Sequence, residues 1–326
     1  MLTGLVRLAL GGQHSIIVKQ DNSVWSAGRI QYGDGSTIEK AKFMRVLKSG
    51  AKAVAAGNDH SIVLKQDGSV WATGKNVNGQ LGTRTRTDKK IFMQVIPDGV
   101  QAVAAGRDHT MVLKQDGSVW ATGNNNHGQL GDETTTAKSR FVQVVWGGVR
   151  SVAAGGYHSM IIKQNGSVWA TGWNEYGQLG DGSTTDWFNY MEVVSSGAKT
   201  VAAGGRHSMM LKEDGSVWAT GYNLYGQLGD GSSTNRNVFV RVILDGAKEI
   251  AAGGFHSMAA KQDSSIWATG ANTHGQLGDG STAPDSTFRR VTPKGNCTGH
   301  GMIICTWLTS VCVFCESFDC HDSLNS

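Results

Sequence analysis

The stretch "AAGGYHSMIIKQNGSVWATGWNEYGQLGDGS" (Ala153–Ser183) returns 49 residues later as "AAGGRHSMMLKEDGSVWATGYNLYGQLGDGS". The recurrence runs through most of the chain. His14, His60, His109, His158, His207 and His256 are separated by 46, 49, 49, 49 and 49 residues. Trp25, Trp71, Trp120, Trp169, Trp218 and Trp267 keep the same gaps. A period near 50 confines the chain to a solenoid or a propeller, in which each unit buries its apolar surface against its neighbours.

The unit itself chooses between them. Each holds four short strands, seen in the fifth copy as "KTVAAGG", "HSMMLK", "SVWAT" and "VFVRVIL" (Val238–Leu244). "QDGS", "EDGS" or "QNGS" joins the second strand to the third. Asp-Gly and Asn-Gly accept positive φ at both central positions of a turn, which predicts type I′ hairpins. No proline interrupts these strands and no helical periodicity is present. Four-stranded antiparallel units repeated about an axis make an all-β propeller. Each blade is covered on both faces, so "SVWAT" is apolar throughout, and the Ala-Ala of the first strand suits a crowded centre.

Composition agrees. Glycine supplies 45 of 326 residues, about twice its usual share of roughly 7 %, as a chain of tight turns needs. With 30 basic and 26 acidic residues, the net charge of +4 is no polyelectrolyte signal, so no direct nucleic-acid binding is expected. No apolar run reaches the roughly 20 residues of a spanning helix, so no membrane is expected. The opening "MLTGLVRLALGG" lacks a charged leader and aligns with "GAKTVAAGG" (Gly197–Gly205), which makes it the first strand of the first repeat. Cysteine is absent before Cys297. That suits a reducing compartment and gives the expectation of a cytoplasmic or nuclear protein.

The repeated residues read as scaffold. The tryptophans are expected to pack between blades and not to form a chromophore or sugar platform. Equivalent histidines around an axis do not converge on one ion, so no metal or cofactor is expected. Each histidine, with the Ser or Thr after it, is expected to hydrogen-bond backbone at a strand start. The lysines that end the second strands, such as Lys65 and Lys212, are expected to form a solvated rim.

Taken together, the Gly-x-His-(Ser/Thr) turn, the Asp-Gly hairpin and the Gly-Gln-Leu-Gly loop resemble the repeat of the regulator of chromosome condensation family over about residues 4–294. The resemblance implies a propeller, typically of seven blades. The family includes exchange factors for Ran-type small GTPases, repeat domains of large ubiquitin ligases, the plant ultraviolet-B receptor and a bacterial β-lactamase inhibitor. One fold with such different roles does not settle function. The receptor's Gly-Trp-Arg-His-Thr turn is missing here, since Gly156, Gly205 and Gly254 occupy its tryptophan position. The exchange factors' inserted wedge has no room in the strict spacing from His60 to His256.

The copies differ in two places: the pair before each histidine and the loop after "ATG" ("KNVN", "NNNH", "WNEY", "YNLY", "ANTH"). Alternate turns of a meander lie at the same end, so both sites should share one face. That face would carry Arg107, Asp108, Tyr157, Trp173, Tyr176, Arg206, Tyr222, Tyr225 and Phe255. Tyr, Trp and Arg are enriched at interface hot spots, and drift in unselected loops is the competing explanation. No Ser-His-Asp set or carboxylate pair stands apart from the repeat, and the glycine-rich loops lack a P-loop lysine, so no catalytic residues are expected. The expected function is a non-catalytic protein-interaction scaffold. The alternatives are guanine-nucleotide exchange or regulation of a Ran-type small GTPase, with Asp59 and Asp108 as acidic contacts, and a repeat domain related to those of ubiquitin ligases.

The pattern fails at its ends. The first copy is shortened, "SAGRIQYGDGS", and the sixth has Asp263-Ser264 in place of Asp-Gly. Residues 1–294 are therefore read as six units. Residues 295–326, which hold Cys297, Cys305, Cys312, Cys315 and Cys320, are read as a degenerate or truncated seventh. "CVFCESFDCH" has an irregular spacing for zinc. The chain is expected to be monomeric, with dimerisation through an open sheet edge as the alternative.

Overall fold

The computed structural model describes residues 5–28, 33, 35, 39–291, 302–304 and 313–315. Among these the regular elements are all strands, and six four-stranded antiparallel sheets form the six blades of a propeller. The first blade runs Leu5–Leu10, His14–Lys19, Val24–Gly28 and Lys40–Leu47, from inner to outer strand. The inner strands of the later blades are Ala51–Ala56, Val100–Ala105, Val149–Ala154, Ala198–Ala203 and Ala247–Ala252. The outer strand of the fifth blade is Arg236–Ile243, a little earlier than expected, and that of the sixth is Asp285–Arg290. Successive inner strands pack on one another from the first blade to the sixth. Their alanines and valines, such as Ala55, Val103 and Ala153, line the central channel.

No seventh four-stranded blade is present among the described residues. Met302–Ile304 and Val313–Cys315 pair with each other only. The other expectations for the cysteine-bearing tail, zinc binding included, lie outside the described residues.

Strand parity explains why the apolar runs look continuous. In His60–Lys65, Ile62 and Leu64 pack forward with Val100, Val112 and Trp120 of the third blade. Val63 packs backward with Ile16 and Val18 of the first. Alternation is present, but both faces are covered, so both sets are apolar. The tryptophans face backward: Trp120 packs on the second blade's core and Trp169 on the third's. Each is finished at its polar end by a neighbour, Trp71 Nε1 donating to Ser69 Oγ over 3.1 Å. The lysines do more than form a rim: Lys65 Nζ stands 4.0 Å above the Trp71 ring and Lys163 Nζ 3.6 Å above Trp169.

The hairpins differ from the expected type I′. Only one loop position takes positive φ: the glycine of the second to fifth blades, as at Gly68 (φ 80°), and Asn22 and Ser264 in the first and sixth. Gly68 N–H donates to Lys65 O, and Lys65 N–H to Ser69 O. This is a three-residue loop, a type I turn closed by a left-handed glycine. Asp67 stays right-handed because its carboxylate has another task, accepting from Ser69 N–H at 2.8 Å.

The histidine expectation is also corrected. His14, His60, His109, His158 and His207 each bond a hydroxyl of the next blade, not backbone. His60 Nε2 lies 2.9 Å from Thr110 Oγ1, His109 Nε2 2.9 Å from Ser159 Oγ, and His158 Nε2 2.8 Å from Ser208 Oγ. These hydroxyls donate their one proton to the carbonyls of Gln80, Gln129 and Gln178. The imidazole Nε2 must therefore be the donor, which leaves Nδ1 unprotonated. Nδ1 of His60, His109, His158 and His207 is buried without a partner among the described residues. Burial accordingly holds His60, His109 and His207 down to a pKa of about 3 and His158 and His256 to about 4.

Candidate functional site

In the second to sixth blades one face of the disc is made by the turn into the second strand and the loop after the third strand. A backbone bond joins them. In the fifth blade Tyr222 N–H donates to Arg206 O at 2.9 Å, and in the fourth Trp173 N–H donates to Tyr157 O at 2.9 Å. The same bond links Lys75 to Asp59, Asn124 to Asp108 and Ala271 to Phe255. The two variable positions of a blade are thus direct neighbours.

Buried polar side chains hold the loops in shape. Asn174 Oδ1 accepts from Leu179 N–H at 3.0 Å, while its Nδ2 donates to Asp181 Oδ1 at 3.0 Å. Gln178 Oε1 accepts from Tyr176 N–H at 3.0 Å. Leu179 is driven into the core beside Met160. Trp173 and Tyr176 are left on the surface, and the fifth blade repeats this through Asn223, Gln227 and Leu228.

The rings above these loops touch in sequence. Tyr157 and Trp173 have centroids 5.6 Å apart, Trp173 and Tyr176 5.2 Å, and Tyr176 and Tyr222 4.8 Å. Tyr222 then meets Tyr225 at 6.2 Å and Phe255 at 6.1 Å. All these pairs are edge-to-face, the arrangement that ring quadrupoles favour. Arg206 lies among them, its guanidinium carbon 5.4 Å from the Trp173 and Tyr176 centroids, 5.8 Å from Tyr222 and 5.9 Å from Phe255. Arg107 stands 5.2 Å from the Tyr157 ring and 3.6 Å from the Asp108 carboxylate. All nine residues singled out from the sequence therefore join in one contiguous patch.

The patch has two halves. On the second and third blades charges compensate: Lys75 pairs with Asp59 at 3.6 Å and Arg107 with Asp108 at 3.6 Å. Burial pushes the Asp108 carboxyl above its usual range, against the pull of Lys75 and Arg107. On the fourth to sixth blades the surface is aromatic, and Leu224 and Tyr225 are 60 % and 41 % exposed.

Sequence reasoning missed His127. Its ring lies 5.5 Å from both Tyr157 and Trp173, and its Nδ1 lies 3.0 Å from Asp186 Oδ2. Its place in the variable loop "NNNH" was the available signal. Gln178 and Gln227 were also missed, because the same glutamine recurs in the second to sixth units and reads as scaffold.

A family model described as an RCC1-like domain matches residues 1–307. No curated protein sequence matches the chain. Among solved structures, human WBSCR16 superposes with a TM-score of 0.83 and 23 % identity, covering 93 % of this chain and 84 % of that one. Yeast RCC1 (Prp20) bound to Kap60 gives 0.81 and 19 %, over 92 % and 77 %. Prp20p of Saccharomyces cerevisiae, described together with its binding to Gsp1p and histones, gives 0.80 and 20 %, over 93 % and 80 %. At such identities the likeness is one of fold.

Proposed function

From the premise that the chain belongs to the RCC1-like domain family, we propose that it is a non-catalytic propeller that binds a protein partner through the aromatic face. The observation that carries this reading is the unbroken ring contact from Tyr157 to Phe255, supplied by the turn and loop of the fourth blade, the loop of the fifth and the turn of the sixth. Large aromatic side chains and arginine grouped on a rigid scaffold are the composition of interface hot spots. Contiguous exposed apolar surface on a folded protein marks an interaction site. Residues 295–326 are taken as the remainder of a seventh unit.

A second reading is regulation of a Ran-type small GTPase. Prp20p is a structural relative described as binding Gsp1p, and the same face carries Asp59 and Asp108, which suit a basic partner. Kinship with the repeat domains of ubiquitin ligases is compatible with the scaffold reading.

The test is capture by the immobilised full chain, with Tyr157, Tyr222, Tyr225 and Phe255 all changed to Ala as the control. The scaffold reading expects proteins that bind the native face and are lost with the variant. Unchanged capture removes the face. A captured GTPase whose nucleotide release the chain accelerates moves the second reading to first place.

A further inference from the structure

We infer that the aromatic half of the face receives a carboxylate side chain, an aspartate or glutamate carried on an apolar segment of the partner, seated on Arg206. The inference rests on the reading of this face as a protein-binding surface and names the chemistry it selects.

Arg206 is the uncompensated charge of the patch. Lys75 and Arg107 each face a carboxylate at 3.6 Å. Among the described residues no carboxylate pairs with Arg206, whose polar contact is the Tyr176 hydroxyl at 3.4 Å. A guanidinium is weakly hydrated, stacks on rings and keeps its N–H edge free for a carboxylate fork. Four rings within 6 Å hold it in place and reduce the rotamer freedom that binding would otherwise remove.

The second observation comes from comparing equivalent glutamines. Gln80 Nε2 reaches Asp108 Oδ1 at 3.4 Å, and Gln129 Nε2 reaches Asn124 Oδ1 at 2.7 Å. In the next blades the positions that supplied those acceptors are Arg206 and Trp173 around Gln178, and Phe255 and Tyr222 around Gln227. None of the four side chains offers a carbonyl or carboxylate oxygen. Gln178 Nε2 and Gln227 Nε2 are fully buried with no acceptor among the described residues. Their orientation is secured because the other amide atom, Oε1, accepts from Tyr176 N–H and Tyr225 N–H. An unanswered buried donor is costly, and the acceptor position that Asp108 supplies to Gln80 is, for Gln178, the one that Arg206 occupies. One cation held among rings and an apolar rim at Leu224 and Tyr225 match a single carboxylate among apolar side chains. They do not match a polyanion, which requires several cations.

The experiment pans a phage library of random short peptides on the full chain and counter-screens on the Tyr157, Tyr222, Tyr225 and Phe255 to Ala variant. Face-dependent binders are expected to share an Asp or Glu next to a large apolar residue. In synthetic copies, changing that acid to its amide should weaken binding about tenfold or more. Against Arg206→Met the same change should have no further effect, the signature of a direct pair in a double-mutant cycle. Arg206→Lys should retain part of the affinity, and melting curves verify that both variants fold. Face-dependent binders without an acid, or an equal effect of the amide change on native chain and Arg206→Met, overturn the carboxylate and leave the face standing. Finding no binders that depend on the aromatic residues overturns both.

Discussion

His109 Nε2 lies 2.9 Å from the Ser159 hydroxyl, across the boundary between the third and fourth blades, and that hydroxyl donates in turn to Gln129 O at 2.7 Å. The histidine and the glutamine belong to one blade and the serine to the next, so the relay is a latch. Ser159→Ala would leave an N–H and a carbonyl unpaired in a dry site, at a cost of about 3 kcal/mol. Ser159→Thr should cost under about 1 kcal/mol, because Thr110 performs the same role one blade earlier. Urea unfolding of both variants checks the pair. Equal losses would show that the hydroxyl carries no latch.

The latches should make the propeller acid-sensitive. The buried histidines have folded-state pKa values held to about 3 or 4, against about 6.5 when unfolded. Between these values the unfolded chain binds more protons, so stability is full above pH 6.5 and is lost as pH falls toward 4. Each histidine forfeits about 1.4 kcal/mol per pH unit in that window. Carboxylates such as Asp67 and Asp116 have pKa values held below 3.8 by Ser69 and Ser118, and so act only at lower pH. The urea midpoint should drop clearly between pH 7.5 and 5.5, and a flat profile would contradict the assignment.

The sixth hairpin stores strain at a known atom. Ser264 sits at φ 65°, where the equivalent positions in the second to fifth blades carry glycine. Ser264→Gly should raise stability by about 1 kcal/mol, and Gly117→Ser should lower it by a similar amount. Thermal melts of the two variants should shift in opposite directions.

The glycine at the end of the Gly-Gln-Leu-Gly loop is required by contact as well as by backbone. A Cβ on Gly180 would lie 2.6 Å from the Phe239 ring of the next blade, at φ 78°. Gly180→Ala should cost about 3 kcal/mol from overpacking and left-handed strain together. Adding Phe239→Leu should recover only the overpacking part. Full recovery would mean that the backbone conformation carries no cost.

Scaffold and face should separate cleanly in the fourth and fifth blades. Asn174 is buried and answers both Leu179 N–H and Asp181, so Asn174→Ala should cost about 2–3 kcal/mol. Tyr225 is 41 % exposed, and Tyr225→Ala should cost under about 1 kcal/mol. Chemical denaturation checks the ratio. A large loss at Tyr225 would make it a structural residue and weaken its place in the binding patch.

What the sequence alone determined was the repeat: its period, its four strands, its all-β class, and which words vary between copies. Those follow from local chemistry, since glycine positions, strand patterning and hairpin signals act over a few residues. It also placed all nine patch residues on one face, because alternate turns of a meander share an end. Tertiary structure alone decided the rest. The hairpin type turned on whether Asp67 spends its carboxylate on Ser69. The histidine's partner lies about 50 residues away in the next blade, and no local pattern reveals it. Gln80 and Gln178 are the same letter in the same motif, yet Asp108 answers one amide and no side chain answers the other. That difference exists only where neighbouring blades meet.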